Sequence, residues 1–126
     1  MANWQIELGE KYLRDHAYYE KKRPNELGAV LDNLDTYFKT LSKVGNPMQV
    51  TGGYIHPEPD GIIAIDQKGG GRRVKLQQTR LYIYPDITCS ILHVWAIGDK
   101  TSQRDDINLC RAFVRKLKEE RDAKTI

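Results

Sequence analysis

One arginine and two phenols alternate along Thr79-Arg80-Leu81-Tyr82-Ile83-Tyr84, and a lysine follows the next apolar run in Ile97-Gly98-Asp99-Lys100-Thr101-Ser102-Gln103. In an extended strand, Leu81 and Ile83 fall on one side and Arg80, Tyr82 and Tyr84 on the other. A guanidinium grips phosphate in a planar fork and a phenol stacks on bases, so this side suits a polyanion that carries stackable rings. The same pattern also serves an ordinary exposed sheet face, where tyrosine is frequent and arginine covers apolar surface with its stem.

Charge separates these readings further. The net charge is +3, but residues 1–66 hold 7 Lys/Arg against 10 Asp/Glu, whereas residues 67–126 hold 13 against 7. Between Gln67 and Pro85 stand Lys68, Arg72, Arg73, Lys75 and Arg80 with no acid among them. An electropositive second half fits a nucleic acid or an acidic protein partner. A solvated hairpin loop is the plainer alternative, since Gly69-Gly70-Gly71 precedes Arg72. His56, Glu58 and Asp60 can be drawn as a metal site, yet three ligands within five loop residues and no further Cys or His nearby give it little support. No metal is expected.

The elements that must position these groups are legible in outline. Trp4–Leu8 alternates as a short strand with Trp4, Ile6 and Leu8 inward. A helix follows from about Glu10 to Glu20, burying Tyr12, Leu13 and Tyr19, and Lys21-Lys22-Arg23 suits its C-terminal dipole. Pro24 opens a second helix, whose stripe is Leu27, Val30, Leu31, Leu34, Phe38 and Leu41 with Tyr37 on its flank, and Gly45-Asn46-Pro47 stops it. The prolines around Glu58 imply an extended loop or edge segment. Strands are expected over 62–67, 74–84 and 88–97, with Pro85-Asp86-Ile87-Thr88 as the last turn. That turn would pair Tyr84 with Cys89, Tyr82 with Ile91 and Arg80 with His93. His93 is then either a core histidine or a neighbour of Arg80. Ser102 and Asp105 form a capping pattern before a final helix with Ile107, Cys110, Phe113, Val114 and Leu117 on its apolar side.

These elements and the segments 79–84 and 97–107 resemble the RelE/HigB/ParE superfamily of toxins from bacterial toxin–antitoxin modules, and its phage- and plasmid-borne HigB-like branch in particular. The resemblance implies one α+β domain over 1–126: an N-terminal strand, a helical hairpin, a mostly antiparallel sheet of three further strands and a C-terminal helix. One sheet face would be covered and the other an open basic cleft. The implied activity is metal- and cofactor-independent cleavage of mRNA on the ribosome, with the ribose 2′-hydroxyl attacking the adjacent phosphate.

Arg80 matches the family's strand arginine and would hold the scissile phosphate; Lys100 matches the basic position after the last strand. Lys68, Arg72, Arg73 and Lys75 would grip RNA backbone, and Tyr84 would join them. RelE carries a tyrosine near where this chain has Asp105-Asp106, and no Tyr or His follows His93. Acid and base must therefore come from Tyr82, Tyr84, His93 or the cations, or be lacking. The implied partners are a helix-turn-helix antitoxin, the ribosome and mRNA; the alternative is a non-catalytic toxin or nucleic-acid binder, DNA gyrase being the target of ParE-like relatives. Two cysteines without metal spacing, the lack of a long apolar run and an N-terminus unlike a secretion signal imply a cytoplasmic protein without membrane contact.

Overall fold

Pro24 and Gly45 bound the longest hydrophobic stripe in the chain, and the helix between them is the platform on which the sheet is built. In the computed structural model, which describes residues 3–70 and 75–124, the order is β1 (Gln5–Leu8), α1 (Glu10–Lys22), α2 (Pro24–Val44), β2 (Ile55–Pro57), β3 (Ile63–Asp66), β4 (Thr79–Asp86), β5 (Ile91–Asp99) and α3 (Gln103–Lys124), with single 3-10 turns at Pro47–Gln49 and Pro59–Gly61. Gly45 ends α2 in the left-handed conformation (φ 74°) that glycine adopts without steric cost, and its N–H closes on Leu41 O at 2.7 Å. The sheet runs β1-β5-β4-β3-β2, with β1 parallel to β5 and the other pairs antiparallel. The α+β class is as expected; the sheet has one strand more than expected, because the proline-flanked segment supplies the short edge strand β2.

Period-two alternation divides the sheet side chains between two cores. Leu81, Ile83, Ile65, Leu92, Val94 and Ile97 pack against Leu27, Val30, Leu34, Tyr37 and Leu41 of the helical hairpin. Ile62, Ala64, Tyr82, Trp95 and Ala96 pack against Cys110 and Val114 of α3. Each fully buried Leu, Ile or Val contributes roughly 1.5–3 kcal/mol, so the hairpin supplies the larger share of the burial and α3 a smaller one. The expectation of one open face is therefore corrected: both faces are covered, and Tyr82 lies wholly inside.

Three smaller expectations also give way. Only Trp4 of the first strand is buried; Ile6 and Leu8 stay 40% and 47% exposed, because β1 is an edge strand. Leu13 faces solvent while Tyr12 and Tyr19 are buried. The β4–β5 turn lies beyond Asp86, so the register is Tyr84↔His93, Tyr82↔Ala96 and Arg80↔Gly98, with an irregularity between Tyr82 and Ile83. Pro85 stays in β4 because β3 has already ended opposite Ile83, which leaves that stretch as an edge where a missing N–H costs nothing. Cys89 consequently sits in the turn, exposed, and not in a strand. Among the described residues no helix is long and apolar enough to cross a membrane.

Candidate active site on the α3 side of the sheet

The register places His56, Ala64, Tyr82 and Ala96 in one row across β2-β3-β4-β5, and Asp66, Arg80 and Gly98 in the next. All project to the α3 side. Ala64 and Gly98 contribute almost no side chain, so the larger polar groups can reach one another. His56 Nε2 lies 2.5 Å from Asp66 Oδ2. Asp66 is nearly buried, at 3% side-chain exposure, whereas His56 keeps 29%. The carboxylate is fixed by a second bond, from Lys68 N to Asp66 Oδ1 at 2.7 Å, and Asn33 Nδ2 ties down both Asp66 O (2.8 Å) and Lys68 O (2.9 Å). A neutral His56 that donates Nε2–H to Asp66 leaves its lone pair on Nδ1, the arrangement in which an oriented imidazole acts as a base.

Arg80 stands two strands across and two residues along from His56, roughly 12 Å away at the backbone given ordinary strand spacing. Its Nη1 is 3.6 Å from Glu58 Oε1, and both side chains are largely covered, at 18% and 15% exposure. The distance exceeds that of a direct hydrogen bond, and Arg80 Nε has no hydrogen-bond partner among the described residues. Arg80 Nε is thus a buried donor, and the guanidinium is paired only loosely, with Glu58.

The lysines gather at the same end of the sheet. Lys68 Nζ is 4.0 Å from Asp66 Oδ2 yet 70% exposed. Lys75 and Lys100 line one depression of about 450 Å³ with Leu76, Gln77, Gln78, Asp99 and Thr101. Asp99 Oδ1 accepts bonds from Thr101 N, Thr101 Oγ1 and Ser102 N, which fixes the loop that carries Lys100. Ser102 Oγ donates to Asp106 Oδ2 at 2.8 Å, so the N-terminal latch of α3 uses Asp106 where Asp105 was expected. Arg72 and Arg73 lie outside the described residues.

The remaining expected site residues are elsewhere or enclosed. Tyr82 adjoins Arg80, but it is fully buried and its hydroxyl is unpaired among the described residues; burial raises its pKa far above the ordinary phenol value. His93 and Tyr84 stand at the opposite end of the hairpin. There the His93 ring clusters with Tyr84 and Trp95, with centroids 6.2 and 5.3 Å away. Burial lowers the His93 pKa, which leaves it a neutral core histidine. The placement of His93 beside Arg80 is therefore corrected, and the cause is the turn. The three residues that could be drawn as a metal site disperse to separate partners: His56 to Asp66, Glu58 to Arg80 and Asp60 to Arg111.

His56 and Asp66 form a candidate pair that the sequence reading did not join, having weighed His56 only with Glu58 and Asp60. A usable signal existed in Asp66, an acid closing the apolar run Ile62-Ile63-Ala64-Ile65. Compared with family models, with curated proteins and with solved structures, the chain gives no match.

Proposed function

We propose that this protein is an endoribonuclease toxin of the RelE/HigB kind, cleaving mRNA on the ribosome without a metal. The observation that carries the reading is the shared sheet face of an imidazole held on Asp66, His56, and a guanidinium paired only loosely with Glu58, Arg80. His56 Nδ1 takes the proton of a ribose 2′-hydroxyl. The oxygen attacks the adjacent phosphorus, the P–O5′ bond breaks, and the departing 5′-oxygen takes a proton from water, leaving a 2′,3′-cyclic phosphate and a 5′-hydroxyl. Arg80 stabilises the charge that builds on the non-bridging oxygens in the pentavalent transition state. Lys68, Lys75 and Lys100 hold flanking phosphates as point charges.

His56→Ala is expected to lower cleavage of ribosome-bound mRNA by about 10²-fold or more while the fold persists, since a positioned base is worth that much. Arg80→Lys, which loses the planar fork, is expected to be impaired too. Undiminished cleavage by a folded His56→Ala protein removes this imidazole from the reaction. A binding-only toxin is the second reading, favoured by the cover that α3 lays over Tyr82. It predicts that growth inhibition survives in the His56→Ala protein and that no new RNA ends appear in either protein.

A further inference from the structure

Two acids in a five-residue loop sit directly on cations of the α3 side. Glu58 Oε1 faces Arg80 Nη1, and Asp60 Oδ2 accepts from Arg111 Nε at 2.9 Å. Arg111 does not stand alone. Arg115 and Lys118 follow it at intervals of four and three, which puts all three on one stripe of α3. The Asp60 carboxyl is held below its ordinary range first by the Arg111 hydrogen bond, with Arg115 and Lys118 adding to the effect, so the stripe converges on this one acid. Extended chain spans at most about 3.5 Å per residue, so the two acidic positions are no more than about 7 Å apart, comparable to consecutive phosphates on a single strand.

The loop is held in shape by its own backbone. Pro57 and Pro59 restrict the backbone on both sides of Glu58. Glu58 N bonds to Ile62 O (2.8 Å) and Ile62 N to Pro59 O (3.3 Å), so its backbone hydrogen bonds close within the loop. Asp60 occupies the left-handed region at φ 63° and ψ 25°, followed by Gly61 at φ 81°. A non-glycine residue accepts that conformation at a cost, and the ion pair with Arg111 offsets it.

We infer that Glu58 and Asp60 are an intramolecular phosphate mimic, capping a cationic lane of Arg80, Arg111, Arg115 and Lys118 that single-stranded RNA enters by displacing the two carboxylates. This rests on the RNA-directed reading above and adds to it a route across α3 and a built-in restraint on binding. The cap makes the protein select ligands that bring at least two phosphates at once, since one anion cannot replace both acids.

The test uses the full chain and a fluorescein-labelled 12-nucleotide single strand with 2′-O-methyl riboses, which binds without being cleaved. Anisotropy titrations at 50 and 200 mM salt compare wild type with E58Q/D60N, R111Q/R115Q and the quadruple variant. E58Q/D60N is expected to bind about tenfold tighter. Its salt slope should steepen by about 1.4, two phosphates at about 0.7 each. R111Q/R115Q should bind more weakly than wild type, and the quadruple variant should show little of the gain. Unchanged affinity in E58Q/D60N, or an equal gain with Arg111 and Arg115 removed, overturns the cap. Should E58Q disturb folding, D60N alone, at a partly exposed position, decides the matter by the same two outcomes. A parallel incubation of wild type with ribosome-bound, unmodified mRNA separates the two claims. Tighter binding without cleavage keeps the cap and removes the nuclease, whereas cleavage without tighter binding does the reverse.

Discussion

At the level of single side chains, partners decide which candidates can act. Arg80, Tyr82 and Tyr84 share a strand face, where Arg80 Nε and the Tyr82 hydroxyl are buried without a partner among the described residues and Trp95 stacks on Tyr84 at 5.3 Å; Arg80 differs in keeping 18% of its side chain exposed. His56 gains its standing from a buried carboxylate ten residues away. His93 makes the contrasting case. Its Nε2 is buried without a partner among the described residues, and desolvation lowers its pKa against the opposing pull of Glu7 and Asp86, with Arg121 acting in the same direction as burial.

A histidine whose folded pKa lies below its unfolded value of about 6.5 binds more protons when unfolded between those two values. Stability from His93 is thus fully present above about pH 6.5 and is lost as pH falls below it toward the folded pKa. Urea unfolding of wild type and His93→Phe at pH 7.5 and 5.5 checks this. The wild type should lose more stability than the variant on acidification, and equal losses would show that His93 is not held neutral by burial. The variant also removes an unpaired buried nitrogen, so it should be at least as stable as wild type at pH 5.5.

Among the elements, α3 and β5 are joined by a contact that leaves no space for a side chain. A Cβ on Gly98 would overlap the Asp106 carboxylate and the Ser102 hydroxyl that receive the start of α3. Lys11 adds to this junction, bonding Asp15 Oδ2 at 2.7 Å while Asp15 Oδ2 accepts from Ile97 N. Gly98→Ala is expected to destabilise by about 1–3 kcal/mol, as overpacking does, and to shift the loop that carries Lys100. Chemical denaturation measures the first effect; a change within about 0.5 kcal/mol would mean that the junction yields at little cost.

The helices were readable because each carries its own period and its own stops, such as Pro24 and Gly45. The β4–β5 register was not, because the turn has no glycine or proline of its own. Asp86 supplies the turn instead, accepting from Thr88 N at 3.2 Å, and Ser90 takes φ 56°. The proline that looked like a turn residue lies in a one-sided stretch of strand. The His56–Asp66 contact needs the β2–β3 pairing and the Glu58–Arg80 pair needs β4 beside β3 as well, and β2 carries too few residues to mark itself as a strand.

Over the whole molecule, the sheet acts as a spacer with two covered faces and a polar end. Basic groups from the β3 terminus, the 75–78 segment and the β5–α3 turn collect at that end, which reconciles a net charge of only +3 with a concentrated cationic surface. The acidic first half contributes the balancing charges where they matter, Asp66 behind His56 and Glu58 and Asp60 over the arginines. Under the proposed function, cleavage depends on the 2′-hydroxyl and on His56. The most direct measurement is to map RNA ends, with their terminal chemistry, after induced expression of wild type and of His56→Ala. New mRNA ends bearing 2′,3′-cyclic phosphates in wild type, and their absence in a folded His56→Ala protein, are the expected result. Growth arrest by wild type without new ends, or the same cyclic ends from His56→Ala, would contradict the proposed active site.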